Sequence, residues 1–187
     1  LRDQPGDRDR AAAILDTVLK EQYTTPGPNW YGTYKRSPDE PTPNGSGVMW
    51  KEFDPNWREF IGTTFVIILQ EYPDRISPEL RKRMYAAIDR SIEGEIKEER
   101  LLPSYSNIAL MYGFLWDFAA KHDHRSDWQK KSAEWNEAVY KLFKQYGVFT
   151  EYNSPTYSGV DLYGLALWRK YGASAHMRSM GREMEAK

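Results

Sequence analysis

The same short pattern opens three stretches of this chain. Each has a proline where a helix would begin, then an aromatic residue two positions later and a mostly apolar run: Asp54-Pro55-Asn56-Trp57, Leu102-Pro103-Ser104-Tyr105 and Ser154-Pro155-Thr156-Tyr157. The prolines are 48 and 52 residues apart, and a more polar amphipathic segment lies between each pair. A repeat of this length with this alternation is typical of stacked helical hairpins.

The hydrophobic pattern predicts two kinds of helix along the repeats. Residues 55–71, 103–121 and 155–171 are apolar around most of the helix circumference, which predicts burial on nearly all sides. The helix that starts at Pro78 and residues 126–146 carry one apolar stripe and predict outer helices. The polar tail 173–187 is expected to begin a further outer helix. Residues 8–22 predict a further amphipathic helix, and no segment predicts a strand.

These helices predict an all-α fold in which apolar inner helices and amphipathic outer helices form part of an (α/α) toroid. A closed toroid needs roughly five to seven hairpins, whereas this chain supplies about three. We therefore expect either an open arc or, as we favour, a fragment of a larger barrel that packs against the remaining hairpins of a longer chain. In both cases residues 1–187 form a single domain or a part of one.

Composition excludes several classes of function. The formal net charge is −1, with acidic and basic residues interspersed, whereas a nucleic-acid-binding protein normally carries a basic face. The longest apolar stretch, residues 65–69, is far too short to span a bilayer. We therefore expect a soluble protein without a nucleic-acid or membrane partner. The absence of cysteine leaves the compartment open, secretion included.

Residues 23–53 interrupt the helical pattern with many prolines and glycines and predict a long irregular loop. Trp30, Tyr31 and Tyr34 within it favour a packed or ligand-facing loop over a flexible one. Trp30 and Tyr31 also offer flat apolar faces of the kind that stack on sugar rings. Such aromatic residues equally fill protein cores, and this alternative stays open.

If equivalent helices point the same way, their first turns gather polar residues at one end of the molecule: Asn56, Tyr105, Asn107, Tyr152, Asn153 and Tyr157. Helix N-termini favour negatively charged ligands or developing anions. A tyrosine hydroxyl such as that of Tyr157 can serve as general acid or base. The structural alternative is that Asn153 and Ser154 cap the helix while Tyr157 packs against the next hairpin.

Three further polar residues sit in or beside the apolar helices. Asn107, one turn into such a helix, needs a hydrogen-bond partner, which is either a substrate or a neighbouring loop. Asp161 is expected to pair with Arg58 or a tyrosine, or else to face the cavity as an acid or base. Arg58 is also a candidate to bind a substrate carboxylate through its planar guanidinium.

With these hairpins and with the clusters Tyr105-Ser106-Asn107 and Tyr152-Asn153-Ser154-Pro155-Thr156-Tyr157, the chain after Phe53 resembles the α/α-toroid carbohydrate-active proteins. These include heparinase II/III-like and alginate-lyase-like polysaccharide lyases and unsaturated-uronide hydrolases. The resemblance implies an oligosaccharide or polysaccharide substrate. It also implies a lyase in which Asn107 or Asn153 neutralises a uronate carboxylate and Tyr157 transfers the proton.

Two alternatives stay open beside a uronate lyase. The hydrolases of this architecture need a pair of acidic groups, and the chain offers Asp161 with Glu151 or Asp54. The chain could instead be a non-catalytic helical-repeat scaffold that binds a partner. We expect no cofactor and no metal, because the three histidines, His122, His124 and His176, lie in a polar turn and in the tail.

Overall fold

The fold was obtained as a computed structural model, and it describes residues 4–151 and 154–187. The chain forms two compact units, of which the first ends at Glu98 and the second begins at Glu99. Both units are helical, and the described residues contain no β-strand, only two isolated β-bridges. Within those residues, no helix combines the length and the apolar character that crossing a membrane requires.

In the first unit, the residues from Gln4 onward form three α-helices and one short 3-10 turn. Helix α3 packs against both α1 and α2. It buries one stripe of side chains at helical spacing, whereas its other faces are charged or partly exposed. The bounds of the elements are α1 Asp7–Lys20, α2 Trp57–Glu71, the 3-10 turn Pro73–Arg75 and α3 Pro78–Glu98.

The described residues of the second unit form four helices, of which α4 is the most deeply buried. Helix α4 packs against α5 and α6, while α7 packs against α6 and α5. Because neighbours cover α4 on several sides, every residue from Ser106 to Trp116 is buried. The bounds are α4 Ser106–His122, α5 Ser126–Tyr146, α6 Pro155–Tyr171 and α7 Ala175–Glu185.

Most predicted helix boundaries are confirmed, but two predicted starts are wrong. Helix α6 begins at Pro155, with Ser154 as its N-cap, and α5 ends at Tyr146, with Gly147 as its C-cap. Helix α2 begins two residues after Pro55, because the Asp54 carboxylate accepts a hydrogen bond from the Asn56 N–H at 2.9 Å and makes a turn first. Likewise, a turn closed by the Tyr105 N–H and the Leu102 carbonyl oxygen (2.9 Å) precedes α4.

Burial on nearly all sides is confirmed for α4 and wrong for α2 and α6. Phe60 on α2 is 37% exposed and Leu162 on α6 is 53% exposed. Each of these helices is covered on part of its circumference only, so apolar side chains remain on the open part. The amphipathic helices α3 and α5 have the predicted single buried stripe, and α7 also buries one stripe.

The long loop before α2 is packed, as its aromatic residues indicated. Its N–H and carbonyl groups pair between Tyr23 and Thr33 at 2.9 Å, and the Tyr34 ring is 1% exposed. Gly32 makes the close approach to α3 possible. It has a φ of +83°, and a Cβ there would overlap the carbonyl oxygen of Arg90.

A fully buried ion pair fastens this loop to α2 and α3. The Arg58 guanidinium contacts the Glu95 carboxylate at 2.9 Å, and both side chains are 0% exposed. Arg58 also donates to the carbonyl oxygens of Asn29 and Tyr31 at 2.7 Å. Glu95 therefore offsets the charge, and the loop carbonyls satisfy further guanidinium N–H groups.

The buried pair makes a prediction about stability. We expect Glu95→Ala to lower the free energy of unfolding by about 3–5 kcal/mol, because it leaves the Arg58 charge buried without its partner. Asp16→Ala is the matched control. It breaks the partly exposed Arg83–Asp16 pair, where water screens the charges, so its loss should be much smaller. Urea denaturation of both variants measures the difference, and equal losses would contradict this role for Glu95.

Candidate functional site

Two neighbouring hydrogen bonds hold the segment before α6 against the start of α4. The Thr150 N–H donates to the Ser106 Oγ at 3.1 Å, and the Asn107 Nδ2 donates to the Glu151 Oε1 at 3.1 Å. Asn107 is 1% exposed and Ser106 is 2% exposed. The first turn of a buried helix therefore fixes the position of the Glu151 carboxylate.

A second carboxyl group lies within the electrostatic influence of Glu151. Asp161, two turns into α6, is 4% exposed. Burial, followed by the negative charge of Glu151, raises the pKa of Asp161 to about 7. Among the described residues, neither Asp161 Oδ1 nor Glu151 Oε2 has a hydrogen-bond partner, although both atoms are buried.

The Asp161–Glu151 pair can therefore work as an acid and a base together. Two carboxylates that influence each other do not both ionise readily in a buried site, so one of them holds its proton to higher pH. Near neutral pH, Asp161 is partly protonated. Asn107 donates an N–H of its side-chain amide to the Glu151 carboxylate at 3.1 Å. General acid–base catalysis uses one group that gives a proton and another that takes one.

The structure corrects the expectation that Asp161 forms an ion pair with Arg58. Arg58 pairs with Glu95 in the first unit, and Asp161 lies in the second unit beside Glu151, a group of the same charge.

Four tyrosine and asparagine residues were also predicted at the starts of α4 and α6, and the structure describes two of them, Tyr105 and Tyr157. Tyr157 is 48% exposed, and its N–H donates to the Ser154 Oγ at 3.4 Å. It precedes Asp161 by four residues, so the two lie on the same side of α6. Tyr152 and Asn153 lie outside the described residues. Tyr105 is half-buried in the turn that leads into α4.

The residues predicted as ligand contacts in the first unit contribute mainly to its packing. Tyr31 is 8% exposed, and its hydroxyl donates to Glu93 at 2.9 Å. Trp30 is half-buried, with its ring centroid 6.2 Å from that of Phe53. Asn56 precedes the first turn of α2. Arg58 is fully buried against Glu95 and backbone carbonyls, so its guanidinium has no surface left for a substrate carboxylate.

The described residues contain no group of side chains that could bind a metal ion together. No group of three or more histidine, aspartate or glutamate side chains there is arranged to hold an ion. His122 contacts Asp123 in the turn after α4, and His176 contacts Glu137 on the surface.

Comparison with known families gives one match. A family model described as a domain of unknown function, DUF8769, matches residues 1–187. The chain belongs to this family. The comparison with curated proteins gave no match, and neither did the comparison with solved structures.

Sequence reasoning missed how Ser106 and Thr150 take part in the site of this DUF8769 chain. Their hydrogen bond fixes the backbone immediately before Asn107 and Glu151. A weak signal was present, since Ser106 is a polar residue at the very start of the most apolar helix, where a buried hydroxyl needs a partner. The partner itself lies 44 residues away, and no local pattern identifies it.

The raised pKa of Asp161 predicts a pH dependence of stability. Its pKa is 3.8 in a model peptide and about 7 in the folded chain, so between these values the folded state binds more protons than the unfolded state. The stabilising contribution is complete below pH 3.8 and is lost as pH rises through about 7.

We expect Asp161→Asn to remove this pH dependence, so that the stability of the variant falls less between those pH values. Urea unfolding at a series of pH values measures it. Asp127→Asn is the control, because the Asp127 side chain is 61% exposed and the substitution leaves Asp161 in place. Parallel wild-type and Asp161→Asn profiles would contradict the assignment.

Proposed function

We propose that this DUF8769 chain is a carbohydrate-active enzyme that hydrolyses glycosidic bonds, with Asp161 as general acid and Glu151 as general base. The observation that carries the proposal is that Asn107 holds the half-buried Glu151 at 3.1 Å while the charge of Glu151 acts on the buried Asp161, whose pKa is raised to about 7. Glycoside hydrolysis canonically uses such a pair of carboxyl groups on the two sides of the scissile bond.

The proposed reaction assigns one proton to each carboxyl group. Asp161 gives its proton to the glycosidic oxygen as the bond between that oxygen and the anomeric carbon breaks. A water molecule forms the new bond to the anomeric carbon, and Glu151 takes the proton that this water loses. Solvent then returns Asp161 to its acid form and Glu151 to its carboxylate form. Asn107 positions Glu151 for the proton transfer.

Hydrolysis fits this site better than the uronate elimination that the resemblance to polysaccharide lyases first suggested. A lyase must neutralise a substrate carboxylate, but the Asn107 amide already donates to Glu151. The charge of Glu151 would repel a uronate at the same place. Since Arg58 is buried against Glu95, its guanidinium does not serve this purpose either.

The larger architecture belongs to the same proposal. We propose that the hairpins α2–α3, α4–α5 and α6–α7 are successive repeats of an (α/α) toroid. Their support is the alternation of apolar and amphipathic helices along the chain and the position of Asn107 beside the segment that leads into α6. The substrate would then be an oligosaccharide or polysaccharide, in line with the resemblance to toroid enzymes.

Substitution of the two carboxyl groups tests the reaction. We expect Asp161→Asn and Glu151→Gln each to lower kcat by about 10²–10⁴-fold on a glycan that the wild type cleaves, because each removes one proton-transfer group. The screen uses a glycan panel with and without uronates and measures reducing-end release together with the ultraviolet absorbance of a conjugated product.

A control and a competing outcome belong to this experiment. Asp127→Asn should keep wild-type turnover, since its side chain is exposed. Asp161→Asn should also lose less activity on 4-nitrophenyl glycosides, whose leaving group needs little protonation. A conjugated product that disappears in Tyr157→Phe would show elimination and refute hydrolysis. If the wild type neither cleaves nor eliminates any glycan of the panel, the non-catalytic scaffold becomes the better interpretation.

A further inference from the structure

A cleft of about 430 Å³ lies in the second unit between the start of α4 and the last turns of α5. This volume falls within the usual range of small-molecule sites. Apolar side chains provide most of its lining, namely Val139, Leu142, Phe143, Val148 and Phe149. None of the described lining residues carries a charge, so the cleft favours an apolar group over an ionic one.

The cleft reaches the residues that precede Asn107 and Glu151 in the chain. Ser106 and Thr150 line it and are joined by the hydrogen bond between the Thr150 N–H and the Ser106 Oγ. The next residue after each of them, Asn107 and Glu151, makes the hydrogen bond that positions the general base. Along the chain, Asn107 and Glu151 therefore each lie one residue beyond the lining.

The chemistry of the lining selects the part of a glycoside that it would bind. A sugar ring placed against phenylalanine, valine and leucine side chains would lose hydrogen bonds from its hydroxyl groups to water, which is costly. An aryl or cycloalkyl group gains free energy on the same transfer, roughly in proportion to the apolar area it buries.

We propose that this cleft binds the apolar leaving group of a glycoside, an aryl or cycloalkyl group attached to the oxygen that Asp161 protonates. The assignment rests on the proposed hydrolysis and adds the substrate class: glycosides of apolar alcohols. The sugar itself lies on the side of Glu151 and Asp161, outside the apolar lining.

Binding of 2-naphthol tests the cleft without any turnover. We expect it to shift the amide NMR signals of Ser106 and Thr150. Leu142→Trp should weaken this binding by about tenfold or more, because a large side chain then occupies the apolar space. Leu102→Trp is the matched control, since Leu102 is 64% exposed and outside the lining. Val148→Trp, at a 47% exposed lining position, is the second variant if Leu142→Trp fails to fold.

Unchanged 2-naphthol binding in the folded lining variants, or signal shifts confined to other parts of the chain, would overturn the assignment.

The kinetic arm compares cyclohexyl and methyl glycosides of one sugar, whose alcohols are similarly poor leaving groups. We expect Leu142→Trp to lower kcat/KM about tenfold for the cyclohexyl glycoside and much less for the methyl glycoside.

The two proposals fail in distinguishable ways. If Leu142→Trp lowers kcat/KM equally for both glycosides while Asp161→Asn loses turnover, the cleft assignment is overturned and hydrolysis stands. Full turnover in Asp161→Asn would overturn hydrolysis by this pair, and with it the leaving-group role, whether or not 2-naphthol binds. If Leu142→Trp lowers kcat/KM mainly for the cyclohexyl glycoside and Asp161→Asn loses turnover, both the cleft assignment and hydrolysis are supported.

Discussion

The cost of taking a carboxylate out of water shapes both units of this chain, with opposite results. In the first unit the Glu95 charge is matched by Arg58, and the guanidinium also satisfies carbonyl oxygens of the long loop. In the second unit Asp161 is buried beside Glu151, a group of the same charge, so burial and repulsion raise its pKa to about 7. A matched buried charge destabilises the fold when its partner is removed, whereas an unmatched one is poised to exchange a proton.

This difference explains why the first unit contributes little to the proposed chemistry. The aromatic residues of its loop, such as Tyr31 and Tyr34, are buried in the packing of the unit. Gly32 allows the loop backbone to lie directly against α3. In the second unit, the buried first turn of α4 instead points Asn107 at Glu151. A rigid helix start thus orients a group that lies in a connecting segment, the usual arrangement of binding and catalytic residues.

The sequence allowed the helices to be predicted well, because hydrophobic spacing and caps such as Ser154 and Gly147 are local signals. The starts of α2 and α4 were misplaced, since Pro55 and Pro103 fit a turn as well as a first helical position. The pairing of Arg58 was wrong for a different reason. Glu95 lies 37 residues away on α3, and only the tertiary packing brings the two side chains together.

Of the candidate site, Asn107, Glu151 and Asp161 could be named from polarity at apolar helix starts, but their relation could not. Apolar cleft residues such as Phe143 and Phe149 look like core residues in the sequence, because local composition does not distinguish the wall of a cleft from a filled interior.

The coupling of the two carboxyl groups is the central claim, and NMR titration of the Asp161 side-chain carboxyl tests it most directly. The account predicts a midpoint near 7 in the wild type and a lower midpoint in Glu151→Gln, because the negative charge beside Asp161 is then gone. A wild-type midpoint near 3.8, the model-peptide value, would contradict the account, as would a midpoint that Glu151→Gln leaves unchanged.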